Sequence, residues 1–264
     1  DRVSNLARGL GLGPGDFVAI QCRNRLEYIE IVAGMSSAGV TVATIGPAAA
    51  APEVRFICED SRARVLFVDA ALAEAAHDAV PSTVERLIVM ERDYDALLAQ
   101  ASPSRIDAPI TEHDIFSVPY TSGATGRPKG VMLAHRGRVL ACYAMASEHG
   151  CYGPDDRAVA TTPMFHGAGF LMALAPVFFG GSVTIMPRFD IEALLGAIER
   201  TRATSAYMVP THFAALFALG EAARRFDVSS LKAVISGTAP LAQAMKAKII
   251  EHFGDRKSTR LNSS

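Results

Sequence analysis

Eleven residues, YTSGATGRPKG from Tyr120 to Gly130, bring together three glycines, the hydroxyls of Thr121, Ser122 and Thr125, and the ammonium of Lys129. They follow IFSVPY (Ile115 to Tyr120), an apolar run that reads as a buried strand. Glycines directly after a strand let backbone N–H groups approach a ligand without side-chain obstruction. The hydroxyls add donors, and a lysine supplies a point charge suited to phosphate. This is the composition of a polyphosphate cradle; the alternative is a surface turn that binds nothing. Spacing removes two nucleotide motifs. Counting from Gly123, a Walker A loop needs glycine where Pro128 stands and a hydroxyl where Gly130 stands. No G-x-G-x-x-G dinucleotide fingerprint is present either.

The elements that must hold such a loop belong to a chain of 264 residues, long enough for one large or two modest domains. Half the residues are hydrophobic and 20% are charged, which argues for a packed core and against disorder. With 26 basic and 27 acidic residues the formal net charge is −1, so no global electrostatic footprint for nucleic acid exists. Cys22, Cys58, Cys142 and Cys151 show no C-x-x-C spacing and read as reduced, buried thiols of a cytoplasmic protein. No metal-type cluster is visible among the seven histidines. The longest uncharged stretch, Gly167 to Pro187, is interrupted by Pro176 and by Gly180–Gly181. It reads as a buried helix, a turn and a strand rather than a membrane span. The opening segment DRVSNLARGL carries neither an initiator methionine nor a signal peptide and reads as a start inside a helix, with more sequence expected upstream.

Short apolar runs alternate with helical patterns along the whole chain. DFVAIQC, VTVATI, RVLFVD, RLIVM, IFSVPY, SVTIM, SAYMVP and KAVISG read as strands. RLEYIEIVAGMSSAG, PEVRFICEDS, Ala134 to His149, Ile191 to about Thr201, and a segment from Thr211 read as helices. The fold class expected is α/β, with mostly parallel sheets and flanking helices. The polar, proline-bearing segment from Ser102 to Asp114 reads as the joint between two α/β units. Residues 257–264, KSTRLNSS, abandon apolar periodicity; a frayed polar terminus and a foreign or out-of-frame end both fit.

YTSGATGRPKGVMLAH closely resembles the phosphate-loop signature of the adenylate-forming (AMP-binding) enzymes, Y-T-S-G-T-T-G-x-P-K-G-V. Other segments agree in order. GLGPGDFVAIQCRNRLEYIEIVAGMSSAGV is similar to the opening of the acyl-CoA synthetase branch, and EDSRARVLFVD to the segment that commonly follows. TTPMFHGAGF resembles the family's P-x-F-H-x-x-G, and VISGTAPL its S-G-G-A-P-L. The resemblance covers residues 1–256 and implies part of a large N-terminal domain. It implies a ligase that joins a fatty or aryl carboxylic acid to ATP as an acyl-adenylate, with Mg2+, and passes the acyl group to coenzyme A. Within it Thr121, Ser122, Gly123, Thr125, Gly126 and Lys129 would hold the outer phosphates, with Ala124 in the same loop. Gly237, Thr238, Ala239 and Pro240 would lie along adenine; the residues alone also allow an ordinary strand-to-helix turn with Pro240 at the helix start. His166 would line the acyl and adenylate pocket, against the alternative of a core histidine. Phe170, Tyr207 and Met208 are candidates for the acid's tail pocket, with core packing the equal alternative.

Two departures touch the site. Ala124 replaces a usual hydroxyl, at a cost of about 1–2 kcal/mol if that group faced a charged oxygen, with Thr125 beside it. Thr238 stands where glycine is common. The family's Y-G-x-T-E, with its magnesium-binding glutamate, and its C-terminal domain with the catalytic lysine are absent from the sequence. The expectation is therefore a truncated piece that does not complete adenylation alone. Two other readings stand beside it: a nucleotide-binding pseudo-enzyme module, and the adenylation domain of a peptide synthetase.

Overall fold

The computed structural model describes residues 1–121 and 127–254 and the backbone of 258–260. Five candidate phosphate-loop residues, Ser122, Gly123, Ala124, Thr125 and Gly126, lie outside the described residues. In chain order the elements are α1 (Arg2–Gly9), β1 (Phe17–Gln21), α2 (Leu26–Ser37), β2 (Thr41–Ile45), α3 (Ala51–Ser61), β3 (Ala63–Val68), α4 (Ala73–Ala79), β4 (Arg86–Val89), α5 (Asp95–Gln100), β5 (Ile115–Thr121), β6 (Lys129–Gly130) and β7 (Leu133–Ala134). They continue with α6 (His135–His149), β8 (Arg157–Ala160), α7 (Gly167–Phe178), β9 (Ser182–Ile185), α8 (Ile191–Thr201), β10 (Ser205–Met208), α9 (Pro210–Ala218), β11 (Ala233–Ser236), α10 (Gln243–Phe253) and β12 (Ser258–Arg260). The expected α/β class, with mostly parallel sheets and flanking helices, is the one observed.

The chain divides into two compact units, residues 1–139 with 165–167, and residues 140–164 with 168–264. The division falls inside α6. The polar segment from Ser102 to Asp114 therefore does not join the two units, as its composition suggested. It runs within the first unit and delivers the chain to β5, which pairs with β2.

The first unit is built on a sheet of order β4-β3-β1-β2-β5-β6, with β7 also on β5. From β4 to β5 every pair is parallel, and only β6 and β7 run antiparallel to β5. All five residues of β2, TVATI, are buried, as expected of a parallel strand covered on both faces. Helix α2 buries Tyr28, Ile31, Val32 and Met35, one stripe at helical spacing. Helix α3 buries Val54, Ile57 and Cys58 against Ala43, Ile45, Leu66, Val118 and Tyr120.

The second unit carries an all-parallel sheet of order β12-β11-β10-β8-β9. Strand alternation divides its side chains between two cores. Val159, Ala206, Met208 and Val234 pack with Leu194, Leu195 and Ile198 of α8, Phe213 of α9 and Phe253 of α10. Ala158, Tyr207, Ala233 and Ile235 pack with Cys142 of α6 and Met172 and Ala175 of α7. Asp190 caps α8, its Oδ1 accepting from the Ala193 N–H at 2.8 Å. No helix of the described residues is long and apolar enough to cross a membrane.

Candidate functional site

Strand β5 leads straight into the glycine-rich segment, and β6 receives the chain on its far side. Tyr120 pairs with Gly130 and Thr121 with Lys129. The backbone register therefore sets the first hydroxyl and the cation of the motif opposite each other. Both residues are exposed, and Lys129 enters no ion pair among the described residues. An unpaired ammonium at the mouth of a hairpin suits an anionic ligand. Gly130 has a specific reason to lack a side chain. A Cβ there would lie 2.7 Å from Val118 Cγ1, closer than real contacts allow, and 3.0 Å from Tyr120 Cζ, a tight approach.

His166 is exposed, and its ring lies 4.0 Å from that of Phe165 with the planes tilted by 40°. Its partial withdrawal from water holds its pKa below the ordinary histidine value, which favours the neutral imidazole. Its two neighbours are fastened by their carbonyls. Thr44 Oγ1 of β2 donates to the Phe165 carbonyl at 2.8 Å, and Arg138 Nη1 of α6 donates to the Gly167 carbonyl at 3.2 Å. Thr44 is buried, and Arg138 is only 8% exposed. Neither residue stood out in the sequence. A threonine inside a fully buried strand was a usable signal for the first. HRGRV at a helix start gave none for the second.

In the second unit, β11 ends at Ser236, Gly237 is buried, and Thr238, Ala239 and Pro240 are exposed. Helix α10 begins only at Gln243, so Pro240 precedes the helix instead of opening it. A Cβ at residue 237 would fall 2.6 Å from Tyr207 Oη, which explains glycine there as close approach. Thr238 holds φ at 70°, in the left-handed region that glycine occupies without strain. The Ser236 hydroxyl is buried and has no hydrogen-bond partner.

Tyr207 and Met208 are adjacent on β10 and therefore face opposite sides of its sheet. Tyr207 reaches Gly237, and burial raises its hydroxyl above the ordinary tyrosine value. Met208, 1% exposed, is packed among Leu194, Phe213 and Val234, so of its two readings the structure gives core packing. Phe170 is likewise buried, at 3% exposure. Among the described residues no group of three or more acidic, histidine or cysteine side chains is gathered to hold a metal.

A parallel α/β sheet whose strand ends lead into a glycine-rich segment, beside a lysine with no ion pair among the described residues, is the setting in which open-sheet α/β proteins hold their ligands. The family model described as AMP-binding enzyme matches residues 1–261, and the chain belongs to that family. It is 32% identical over 254 residues to a feruloyl-CoA synthase of Amycolatopsis sp, covering 95% of this chain and 50% of the relative. It is 31% identical over 276 residues to a 3-methylmercaptopropionyl-CoA ligase of Ruegeria pomeroyi, covering 96% of this chain and 50% of the relative. Among solved structures, the inhibitor-bound N-terminal domain of FACL13 from Mycobacterium tuberculosis superposes with a TM-score of 0.88 at 27% identity. That match covers 95% of this chain and 64% of the other. The chain spans about half the length of the curated relatives it matches.

Proposed function

We propose that the chain takes part in ATP-dependent activation of a carboxylic acid, fatty or aryl, to an acyl-adenylate that coenzyme A then intercepts as a thioester. The observation that carries the reading is the β5–β6 register, which sets Thr121 opposite an unpaired Lys129 within the family's phosphate-loop motif. Relatives named for feruloyl-CoA and 3-methylmercaptopropionyl-CoA support an acid–thiol ligase and leave the acid's tail open between aryl and short thioether-bearing chains.

In this reading Lys129 and Thr121, with Ser122, Gly123, Ala124, Thr125 and Gly126, hold the outer phosphates of ATP. Gly237 to Pro240 lie along adenine with Tyr207 behind them. His166, neutral and held by its neighbours' carbonyls, faces the acid. Carboxylate attack on the α-phosphate needs positioning and charge neutralisation more than covalent help from the protein. Lys129 supplies fixed positive charge for that purpose. Magnesium shares the phosphate charge when bound, and none of the described residues is assigned to it. The affinity of Lys129→Ala for ATP and for AMP, measured by calorimetry, tests the reading. ATP binding should weaken about tenfold or more, as removal of a charge-assisted contact of about 1.5–3 kcal/mol implies, with AMP little changed. Equal losses for both nucleotides would count against it.

A further inference from the structure

Strand β5 and the residue that leads into β6 both meet a single face of α3. On the incoming side, Tyr120 Oη donates to Asp60 Oδ2 at 2.6 Å. On the outgoing side, the Arg127 guanidinium carbon stands 6.0 Å from the centre of the Phe56 ring, a cation–π distance. Phe56 and Asp60 are four residues apart, which places them one above the other on the helix surface. Between the two fastenings, the Tyr120 ring packs under Gly130 so closely that a Cβ there would stand 3.0 Å from Cζ and 3.3 Å from Oη. The contacts form a continuous chain from the Asp60 carboxylate to the Tyr120 ring, to Gly130, and to Lys129 next to it. Rotating or sliding Tyr120 would displace Gly130 and with it the direction of the lysine.

We propose that Asp60 is a positioning residue for polyphosphate binding: through Tyr120 it fixes the strand pairing that aims Lys129 at the ligand. The inference rests on the phosphate-binding reading of the motif and adds residues to it that the motif does not contain. Asp60 acts through Tyr120, whose hydroxyl it accepts from, and is given no contact with the ligand. Burial and the nearby carboxylate both raise the Tyr120 hydroxyl above its ordinary value, so it stays protonated and can donate throughout the neutral range. Phe56 acts in the same sense on the outgoing side, through Arg127 two residues before Lys129.

The test uses the whole chain and two probes, inorganic tripolyphosphate and AMP, titrated by calorimetry against Asp60→Ala, Tyr120→Phe, their double variant and Asp60→Asn. Each single variant should weaken tripolyphosphate binding about five- to tenfold, the span of one hydrogen bond to a charged group that is partly exposed. The double variant should be no weaker than either single one, because both remove the same bond. Asp60→Asn, whose side-chain carbonyl still accepts from the tyrosine, should recover most of the affinity, and AMP binding should stay within about twofold in every case. A purely structural role would lower binding of both probes together. If Asp60→Ala fails to fold, Tyr120→Phe reads the same bond with the ring still under Gly130. Wild-type affinity for tripolyphosphate in folded Asp60→Ala and Tyr120→Phe overturns the positioning role alone. A wild-type chain that ignores tripolyphosphate overturns the phosphate-binding reading and the positioning role with it.

Discussion

Replacing Thr238 by glycine should make the protein more stable, against the usual direction of glycine substitutions. Thr238 holds φ at 70°, where an L-residue brings its Cβ against the backbone at a cost of roughly 1–2 kcal/mol, with β-branched residues at the upper end. Glycine removes that cost and returns about 0.4–1 kcal/mol of it through the greater freedom of the unfolded chain. Thr238 is exposed, so no buried packing is lost with the side chain. The balance favours Thr238→Gly by about 0.5–1 kcal/mol, a rise in Tm of about 1–4 °C for a protein of this size. Thr238→Ala keeps a Cβ in the same backbone conformation and should gain less than glycine. Thermal melts of the three proteins, with urea midpoints as a second measure, decide the matter. A Tm for Thr238→Gly at or below that of the parent would refute the strain argument. A gain for alanine equal to that for glycine would place the cost in the β-branch instead of the backbone. Strain kept at the end of β11, beside a loop proposed to meet adenine, is the pattern expected where ligand geometry outweighs stability.

Three further expectations follow from particular contacts. Gly237→Ala should displace the Tyr207 hydroxyl, since its Cβ would fall 2.6 Å from that oxygen; a loss of about 1–3 kcal/mol in urea unfolding, relieved by adding Tyr207→Phe, checks it. Thr44→Val, nearly isosteric, should cost about 1 kcal/mol by removing the donor to the Phe165 carbonyl and should change the His166 imidazole shifts in NMR; unchanged shifts would detach Thr44 from His166. Arg25, 21% exposed, donates to Glu27, Asp69 and Glu91 at 2.6–3.0 Å, so Arg25→Met should cost about 2–3 kcal/mol at pH 7, less than for a fully buried cluster. The Arg25 hydrogen bond holds the Glu27 carboxyl below its ordinary value. At Glu91, burial raises the carboxyl, and the Ala70 N–H, its own N–H and Arg25 together outweigh that. Depressed carboxyls add stability that is present above the unfolded pKa of about 4.3 and lost as pH falls through the folded values. The gap between parent and Arg25→Met should therefore be widest near pH 7 and close below about pH 4; a gap independent of pH would exclude the ion-pair account.

The strands and most helices were legible because parallel strands covered on both faces appear as unbroken apolar runs, and VTVATI and KAVISG are such runs. What composition misjudged was connectivity. The prolines and charges between Ser102 and Asp114 report that the backbone there is exposed, not which body it serves. The true division lies inside α6, where a continuous helix leaves no break in pattern. Tyr207 and Met208 were separable in principle, since neighbours on a strand cannot line one pocket, and only their joint candidacy hid it. Asp60 with Tyr120, and Thr44 with Phe165, were not separable, because each pair is 60 or more residues apart in the chain and nothing local announces it. The glycines of the two motifs show the same limit from the other side. Gly130 and Gly237 read as freedom for a ligand to approach, yet each lies against a tyrosine of the neighbouring strand, Tyr120 in one unit and Tyr207 in the other. In each unit a tyrosine fills the space that a side chain at the glycine would have taken. A missing Cβ that reads as room for a nucleotide is equally room for a tyrosine ring, and a motif read from sequence records only the first of these.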